Sequence, residues 1–280
     1  MATAETSIDV HDTGSARVTL PSRVEVLAAT DQAVHQLTAD LLTLSADAWA
    51  IPACGSWTVD ETVAHLALGP IAYSVITEQM ATGGTEQLFD VTDPDFTEAQ
   101  AELIGTAEPD ERIDAIEGSF GQFTEAAREV PDEQLLEATW TPEGIMPVVA
   151  GLSIALNELV VHGYEVRTAT GLEPLPAAAN PDALAAFTVY ACTGLIKAGG
   201  WPAIELDVSG SGPVVVAWDG DRVVLGADVE PQVRLGSPAG VFALLLWGRL
   251  SLDAARSQYG VTVTGSAEGA EAFLAAARPF

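Results

Sequence analysis

Basic residues are scarce in this sequence of 280 residues. Eleven arginines and lysines stand against forty acidic residues, and Lys197 is the only lysine. The formal net charge is therefore -29 at pH 7. A protein with this charge repels phosphate backbones and anionic lipid headgroups. We therefore expect neither a nucleic acid nor a membrane surface among its partners.

Long apolar runs and cysteines are scarce as well. No apolar segment of the sequence reaches the length of a membrane span without an interrupting charge, glycine or proline. Residues 1–20 lack the basic start and apolar run of a secretory signal, so we predict a disordered leader and a cytoplasmic protein. Cys54 and Cys192 lie far apart in the sequence, and in a reducing compartment we expect both to remain free thiols.

Helical periodicity dominates the first two thirds of the chain. Apolar residues recur at helical spacing in five segments, which are residues 22–46, 59–81, 109–129, 147–169 and 181–198. Polar connections with breakers such as Gly83-Gly84 separate them. Long helices joined in this way predict an antiparallel four-helix bundle at residues 21–172, followed by a linker and connecting helix at 173–202.

The pattern changes after residue 202. Short runs rich in valine alternate with turn residues at 203–208, 213–218, 221–226 and 231–236, and they read as strands. A helix at 238–248, a short segment at 251–257, the strand VTVTG and a helix at 267–277 complete the module. The sequence therefore predicts an α+β protein of two domains, the second of which covers residues 203–280.

Histidine is rare enough for each one to be weighed. His11 lies in the predicted leader, and His35 lies on the first helix, where a hydrogen-bonded structural role is sufficient. His65 lies two turns into the second helix among apolar neighbours, and an imidazole that faces a bundle core needs a partner. His162 lies on the fourth bundle helix. His65 and His162 are therefore the candidates for chemistry.

The start of the second helix places one acidic residue near His65. Thr58 and Glu61 match a capping box, and Trp57 is placed to act as a hydrophobic staple. Glu61 precedes His65 by one helical turn, so by spacing alone it is a possible metal ligand. The capping box already gives this carboxylate a structural role, and we interpret Glu61 as a cap.

Glu158 and His162 form a second pair with the spacing of one helical turn. Residues at i and i+4 project from the same helix face and can reach a single ion. A hydrogen-bonded surface pair is the structural alternative. Together with His65, the pair offers two imidazole nitrogens and one carboxylate oxygen, which is the donor set of a catalytic zinc site with one open position.

Two segments around these residues point to a known family. GSWTVDETVAHLALG, which contains His65, and NELVVHGYEVRTATG, which contains His162, are followed by a strand-rich module. Over about residues 22–280 this arrangement resembles the mycothiol-dependent maleylpyruvate isomerases. The resemblance implies a DinB-like bundle that binds a divalent metal, usually zinc, through His65, Glu158 and His162. It also implies a sterol-carrier-like C-terminal domain, mycothiol as the thiol cofactor, and a monomer or homodimer.

One acidic residue departs from the family pattern. The position three residues after the second histidine is commonly Asp in such proteins, whereas this sequence has Glu165. Two roles are open for Glu165. It can orient the imidazole of His162, although its longer side chain changes the geometry, or it can pair with Arg167 on the surface.

The C-terminal domain contributes one further candidate. The resemblance implies an arginine from this domain that meets the anionic substrate. We assign this catalytic role to Arg249, at the end of the run VFALLLWGRLSLDAA, with Arg234 as the rival. A purely structural role at the helix C-terminus is also open for Arg249.

The resemblance implies an enzyme that adds a zinc-bound thiolate to a small electrophile. An isomerase would add the thiolate to a cis double bond and release it after rotation, whereas an S-transferase would keep the adduct. Cys54 and Cys192 need not take part. The acidic composition favours a neutral electrophile over an anionic one. Two alternatives stay open, a non-enzymatic protein that binds a small apolar ligand and a zinc-dependent hydrolase.

Overall fold

The structure is a computed structural model, and it describes residues 18–89, 108–177 and 181–277. Its α-helices are α1 (Arg23–Leu41), α2 (Val59–Thr82), α3 (Pro109–Glu129), α4 (Val148–Gly151), α5 (Ile154–Thr170), α6 (Ala185–Leu195), α7 (Ala239–Leu246), α8 (Leu252–Gln258) and α9 (Ala267–Ala275). Its strands are β1 (Pro52–Cys54), β2 (Trp57–Thr58), β3 (Ala138–Thr141), β4 (Gly144–Pro147), β5 (Ile204–Val208), β6 (Gly212–Trp218), β7 (Val223–Leu225), β8 (Val233–Ser237) and β9 (Thr262–Gly265). Within the described ranges, every helix is too short or too polar to span a bilayer.

Local sequence signals set the ends of the long helices. α1 begins with a capping box formed by Ser22 and Glu25, and α2 begins with one formed by Thr58 and Glu61. In each box the hydroxyl and the carboxylate satisfy backbone N–H groups that have no partner inside the helix. α5 ends at Gly171, whose φ of 74° lies in the left-handed region that glycine adopts without strain.

The helices α1, α2, α3 and α5 form a four-helix bundle. Each of them packs against two others, in the cyclic order α1, α3, α2, α5. Fully buried apolar side chains fill the space between them and include Leu37, Leu66, Ile76, Ile116, Phe120, Phe123 and Leu159. This packing places α2 directly beside α5, which are the two helices that carry His65 and His162.

The C-terminal part contains a five-stranded mixed sheet. Its strand order is β7-β6-β5-β8-β9, in which β5 and β8 are parallel and the other neighbours are antiparallel. α9 packs against β8 and β9, and α6 packs against β5 and β7. The predicted α+β class, with a helical bundle followed by a sheet-rich part, is confirmed.

The junction between the two parts is buried. α6 contacts β4 of the N-terminal part as well as β5 and β7 of the sheet, and its residues 185–192 are all buried. Residues 1–17, which include His11, lie outside the described residues. The next residues contact the C-terminal part, since the Thr19 N–H donates to the Ser211 carbonyl at 2.7 Å. The domain boundaries at residues 172 and 203 stay a prediction.

The predicted helix at 147–169 is interrupted after α4. Ser153 donates its hydroxyl to the Ala183 carbonyl at 3.2 Å, and Gly151 packs so tightly that an added Cβ would lie 2.8 Å from the Met80 methyl group. Helical periodicity cannot reveal such tertiary contacts. The hairpins β1–β2 and β3–β4 were also not predicted, because strands of two to four residues are too short for an alternating pattern.

Candidate metal centre

The three predicted metal ligands lie together between α2 and α5. Oε2 of Glu158 lies 3.3 Å from Nε2 of His65 and 3.2 Å from Nε2 of His162. The two imidazole rings meet edge to face with their centroids 4.8 Å apart. The three donor atoms all lie within 4.8 Å of one another, and the spacing of one helical turn brings Glu158 and His162 to the same face.

The donor set fits a divalent cation. A tetrahedral zinc ion with ligands at about 2.1 Å keeps its donor atoms about 3.4 Å apart. The distances from Glu158 to the two histidines, 3.3 and 3.2 Å, are close to this spacing. Two nitrogens and one oxygen also leave one coordination position for an exogenous ligand. These residues can therefore hold a metal ion.

Burial and close partners perturb the ionisation of this cluster. Burial raises the pKa of Glu158, but hydrogen bonds from His162 and His65 outweigh it and hold this pKa well below its ordinary value. Burial lowers the pKa of His162, but its contacts with Cys54, Glu158 and Glu165 hold this pKa well above the ordinary value. Without a metal, these carboxylates therefore favour the protonated form of His162.

Glu165 supports the outer side of His162. Its Oε2 lies 2.6 Å from Nδ1 of His162, and its Oε1 accepts a hydrogen bond from Nε of Arg249 at 2.6 Å. Of the two roles left open by the sequence, the structure therefore has the one that orients the imidazole. Arg167 does not pair with Glu165. It donates instead to Asp40 on α1 at 2.6 Å, with only 2% of its side chain exposed.

Arg249 reaches the cluster from the turn that follows α7. Besides Glu165, its guanidinium contacts the Trp247 carbonyl through Nη1 at 2.8 Å and the sulfur of Cys54 through Nη2 at 3.8 Å. The rival candidate, Arg234, pairs with Glu205 on the neighbouring strand and has 61% of its side chain exposed. The structure thus brings Arg249 to the candidate metal centre, whereas a contact with substrate stays a prediction.

Glu61 has the capping role predicted for it. Its carboxylate accepts a hydrogen bond from the Thr58 N–H at 2.7 Å, and its own N–H donates to the Thr58 hydroxyl at 3.2 Å. Trp57 lies beside the metal centre, with its ring 5.1 Å from that of His65. His35 is exposed and contacts the backbone carbonyl of the preceding helical turn, which agrees with a structural role.

Two residues near the site were missed as candidates. Cys54 on β1 is half-buried and lies within 4.8 Å of donor atoms of His162 and Glu165. Glu143 in the β3–β4 turn is buried, and burial together with the charge of Glu158 raises its pKa to about 8. Neither residue belongs to a helical motif, so no spacing along the chain linked it to the ligands.

The N-terminal part of the sequence matches one family. The family model of the mycothiol maleylpyruvate isomerase N-terminal domain matches residues 28–167, which include all three candidate ligands. The chain belongs to this family. The resemblance predicted from the sequence is thereby confirmed. Among curated proteins, no sequence matches this chain.

Two solved structures share the fold over most of their length. One is the crystal structure of the mycothiol-dependent maleylpyruvate isomerase, with 15% identity and a TM-score of 0.54. The other is a histidine-to-alanine mutant of the mycothiol-dependent maleylpyruvate isomerase, with 16% identity and a TM-score of 0.53. In both cases the similarity covers 88% of this chain and 95% of the other. It therefore includes the C-terminal part as well as the bundle.

Proposed function

We propose that this protein is a zinc-dependent enzyme that uses mycothiol to attack a small electrophile, either as an isomerase of the maleylpyruvate type or as a thiol S-transferase. The observation that carries the proposal is the donor set of His65, Glu158 and His162, with one position left for an exogenous sulfur. Membership of the mycothiol maleylpyruvate isomerase family supports mycothiol as the thiol.

The ligands and Glu165 would have separate roles in this enzyme. His65, Glu158 and His162 hold the ion. When bound, zinc supplies a Lewis acid that favours the thiolate form of a thiol near neutral pH. Glu165 accepts a hydrogen bond from the Nδ1–H of His162, and this bond fixes the tautomer whose Nε2 lone pair would face the ion.

The thiol supplies the nucleophile for the reaction. Its sulfur forms a bond to one carbon of an activated alkene, and the π electrons move onto the activating group. In an isomerase, rotation about the new single bond precedes cleavage of the carbon–sulfur bond, which restores the alkene in the trans form. In a transferase, a proton from solvent, which replaces the proton that the thiol released, adds to the neighbouring carbon and the thioether is released. The chain itself needs no covalent intermediate in either case.

The hydrolase alternative has less support from the geometry. A hydrolase needs a carboxylate or imidazole that is free to act as a general base beside the ion. Glu61 is engaged in the helix cap, and both oxygens of Glu165 are engaged by His162 and Arg249. Burial and the charge of Glu158 raise the pKa of Glu143 to about 8, so this carboxyl retains its proton near neutral pH. A thiol depends less on such a base, because its pKa is far below that of water even before a divalent ion would lower it.

The proposal can be tested by following mycothiol with a cis alkene such as dimethyl maleate. We expect turnover that requires both the thiol and zinc, that stops on chelation and that returns on addition of zinc. His162→Ala should abolish it. His35→Ala is the matched control, because His35 is exposed on α1 outside the cluster. Full turnover in the His162→Ala protein would contradict the ligand assignment, and turnover of an ester or amide without thiol would favour a hydrolase.

A further inference from the structure

A continuous chain of contacts links the C-terminal part to the metal centre. Nε of Arg249 donates to Oε1 of Glu165 at 2.6 Å, and Oε2 of Glu165 lies 2.6 Å from Nδ1 of His162. The opposite nitrogen of that imidazole faces Glu158 at 3.2 Å. Glu165 is only 8% exposed, and both of its oxygens are used in this chain. The position of Arg249 therefore fixes the carboxylate that orients His162.

The guanidinium of Arg249 is already committed to protein partners. An arginine that recognises a carboxylate side-on donates two parallel N–H bonds, one of which comes from Nε. Glu165 occupies this Nε–H, while Nη1 donates to the Trp247 carbonyl and Nη2 contacts Cys54. A substrate carboxylate could take this side-on geometry only by displacing Glu165, which would leave a buried charge without its partner.

The formal charges around the site also balance without an anionic substrate. A divalent ion and a guanidinium carry together as much positive charge as Glu158, Glu165 and a thiolate carry negative charge. Within the described part of the chain, no other arginine or lysine forms an ion pair with a residue of the cluster. A dicarboxylate would therefore enter a site whose formal charges are already compensated.

We propose that Arg249 is a positioning residue that acts through Glu165 on His162, and that the electrophile is uncharged. The first part assigns Arg249 to the metal centre instead of the substrate. The second part deepens the proposed function, on which it rests, by naming the substrate class. A positioning role for Arg249 is an alternative to the substrate contact that the family resemblance implies.

Zinc affinity tests the positioning role independently of turnover. Zinc affinity is measured by competition with a chromophoric chelator. We expect Arg249→Met to weaken zinc binding by about 10- to 100-fold, which is the usual effect of losing a group that orients a metal ligand. Glu165→Gln should weaken zinc binding in the same direction. Arg249→Lys, which keeps the charge but loses the planar donor fork, should lie between Arg249→Met and the wild type.

Arg234→Met is the matched control, because it also removes one arginine from the C-terminal part but at an exposed position on the sheet. It should leave zinc affinity unchanged. Wild-type zinc affinity in both the Arg249→Met and Glu165→Gln proteins would overturn the positioning role.

Substrate charge is tested with dimethyl maleate and maleate, which share the cis alkene and differ in charge. Consumption of each alkene in the presence of mycothiol is followed by nuclear magnetic resonance and divided by its uncatalysed rate. We expect kcat/KM on this scale to be at least about tenfold higher for the diester, because the compensated site offers the dianion no net attraction and the net charge of -29 on the protein repels it. Arg249→Met should lower both values by the same factor.

Two results separate failure of this inference from failure of the proposed function. A preference for maleate, or a loss confined to maleate in the Arg249→Met protein, would overturn the inference and leave the thiol enzyme standing. Absence of thiol-dependent turnover with both alkenes would contradict the proposed function and the substrate class together. The zinc titration would then still decide whether Arg249 positions the metal centre.

Discussion

Glu143 provides a sensitive test of the electrostatics around the centre. Its side chain is buried in the β3–β4 turn, and Oε2 has no hydrogen-bond partner within the described residues. Gly194 on α6 packs so closely against the Glu143 carbonyl that no Cβ would fit. The turn therefore cannot easily move this carboxyl into solvent. Burial, assisted by the charge of Glu158, raises the pKa of Glu143 to about 8.

This pKa makes stability depend on pH in a defined direction. The ordinary value is 4.5, so between pH 4.5 and about 8 the folded protein retains a proton that the unfolded chain releases. Stability from this group is fully present below pH 4.5 and falls as the pH rises through about 8. At about 1.4 kcal/mol for each pH unit, the total change is about 5 kcal/mol. Glu143→Gln keeps the neutral shape and should remove this dependence.

The assay is urea unfolding of protein that has been freed of metal, at several values between pH 5 and pH 9. We expect the free energy of unfolding of Glu143→Gln to exceed that of the wild type increasingly towards pH 9, by several kcal/mol. Glu137→Gln is the control, because Glu137 is exposed just before β3 and the substitution removes the same charge. A difference between Glu143→Gln and wild type that stays constant with pH would refute the reasoning.

The remaining predictions concern the ion, the cap and a buried ion pair. Although burial lowers the pKa of His162, its partners hold this pKa well above the ordinary value, so zinc binding at pH 7 should release about one proton per chain, measured by calorimetry in buffers of different ionisation enthalpy. Uptake without proton release would contradict this. Glu61→Gln should retain zinc and most stability, because Gln also serves in a capping box; zinc loss in elemental analysis would instead make Glu61 a ligand. Arg167→Met should cost about 1–3 kcal/mol in urea unfolding, because it removes the charged partner of Asp40 and leaves this carboxylate only the hydrogen bond from Gln36. Arg128→Met, at an exposed ion pair, should cost less than about 1 kcal/mol, and equal losses would contradict the argument.

The bundle and its three central residues were accessible from the sequence because their signals are local. The capping box of Thr58 and Glu61 marks the start of α2, and the four-residue spacing of Glu158 and His162 places both on one face of α5. The contact between His65 and Glu158 is not local. The spacing of Glu158 and His162 does not show which other helix they face. The family resemblance was needed to connect them to His65, which lies 93 residues before Glu158.

The environment of the centre was less accessible, because it depends on contacts over long stretches of sequence. Arg249 and Cys54 are 195 residues apart, and the short hairpin that carries Cys54 has no recognisable strand pattern. Glu165 had two acceptable partners in sequence, Arg167 and His162. The choice was made by Asp40 on α1, which pairs with Arg167 and leaves Glu165 to His162 and Arg249.

The metal centre is tested most directly by elemental mass spectrometry of protein purified without a metal affinity column. The wild type, His65→Ala and the control His35→Ala are compared. We predict about one zinc ion per chain in the wild type and in His35→Ala, and none in His65→Ala, because loss of one of three donors disrupts the site. No metal in the wild type, or equal metal in all three proteins, would contradict the account.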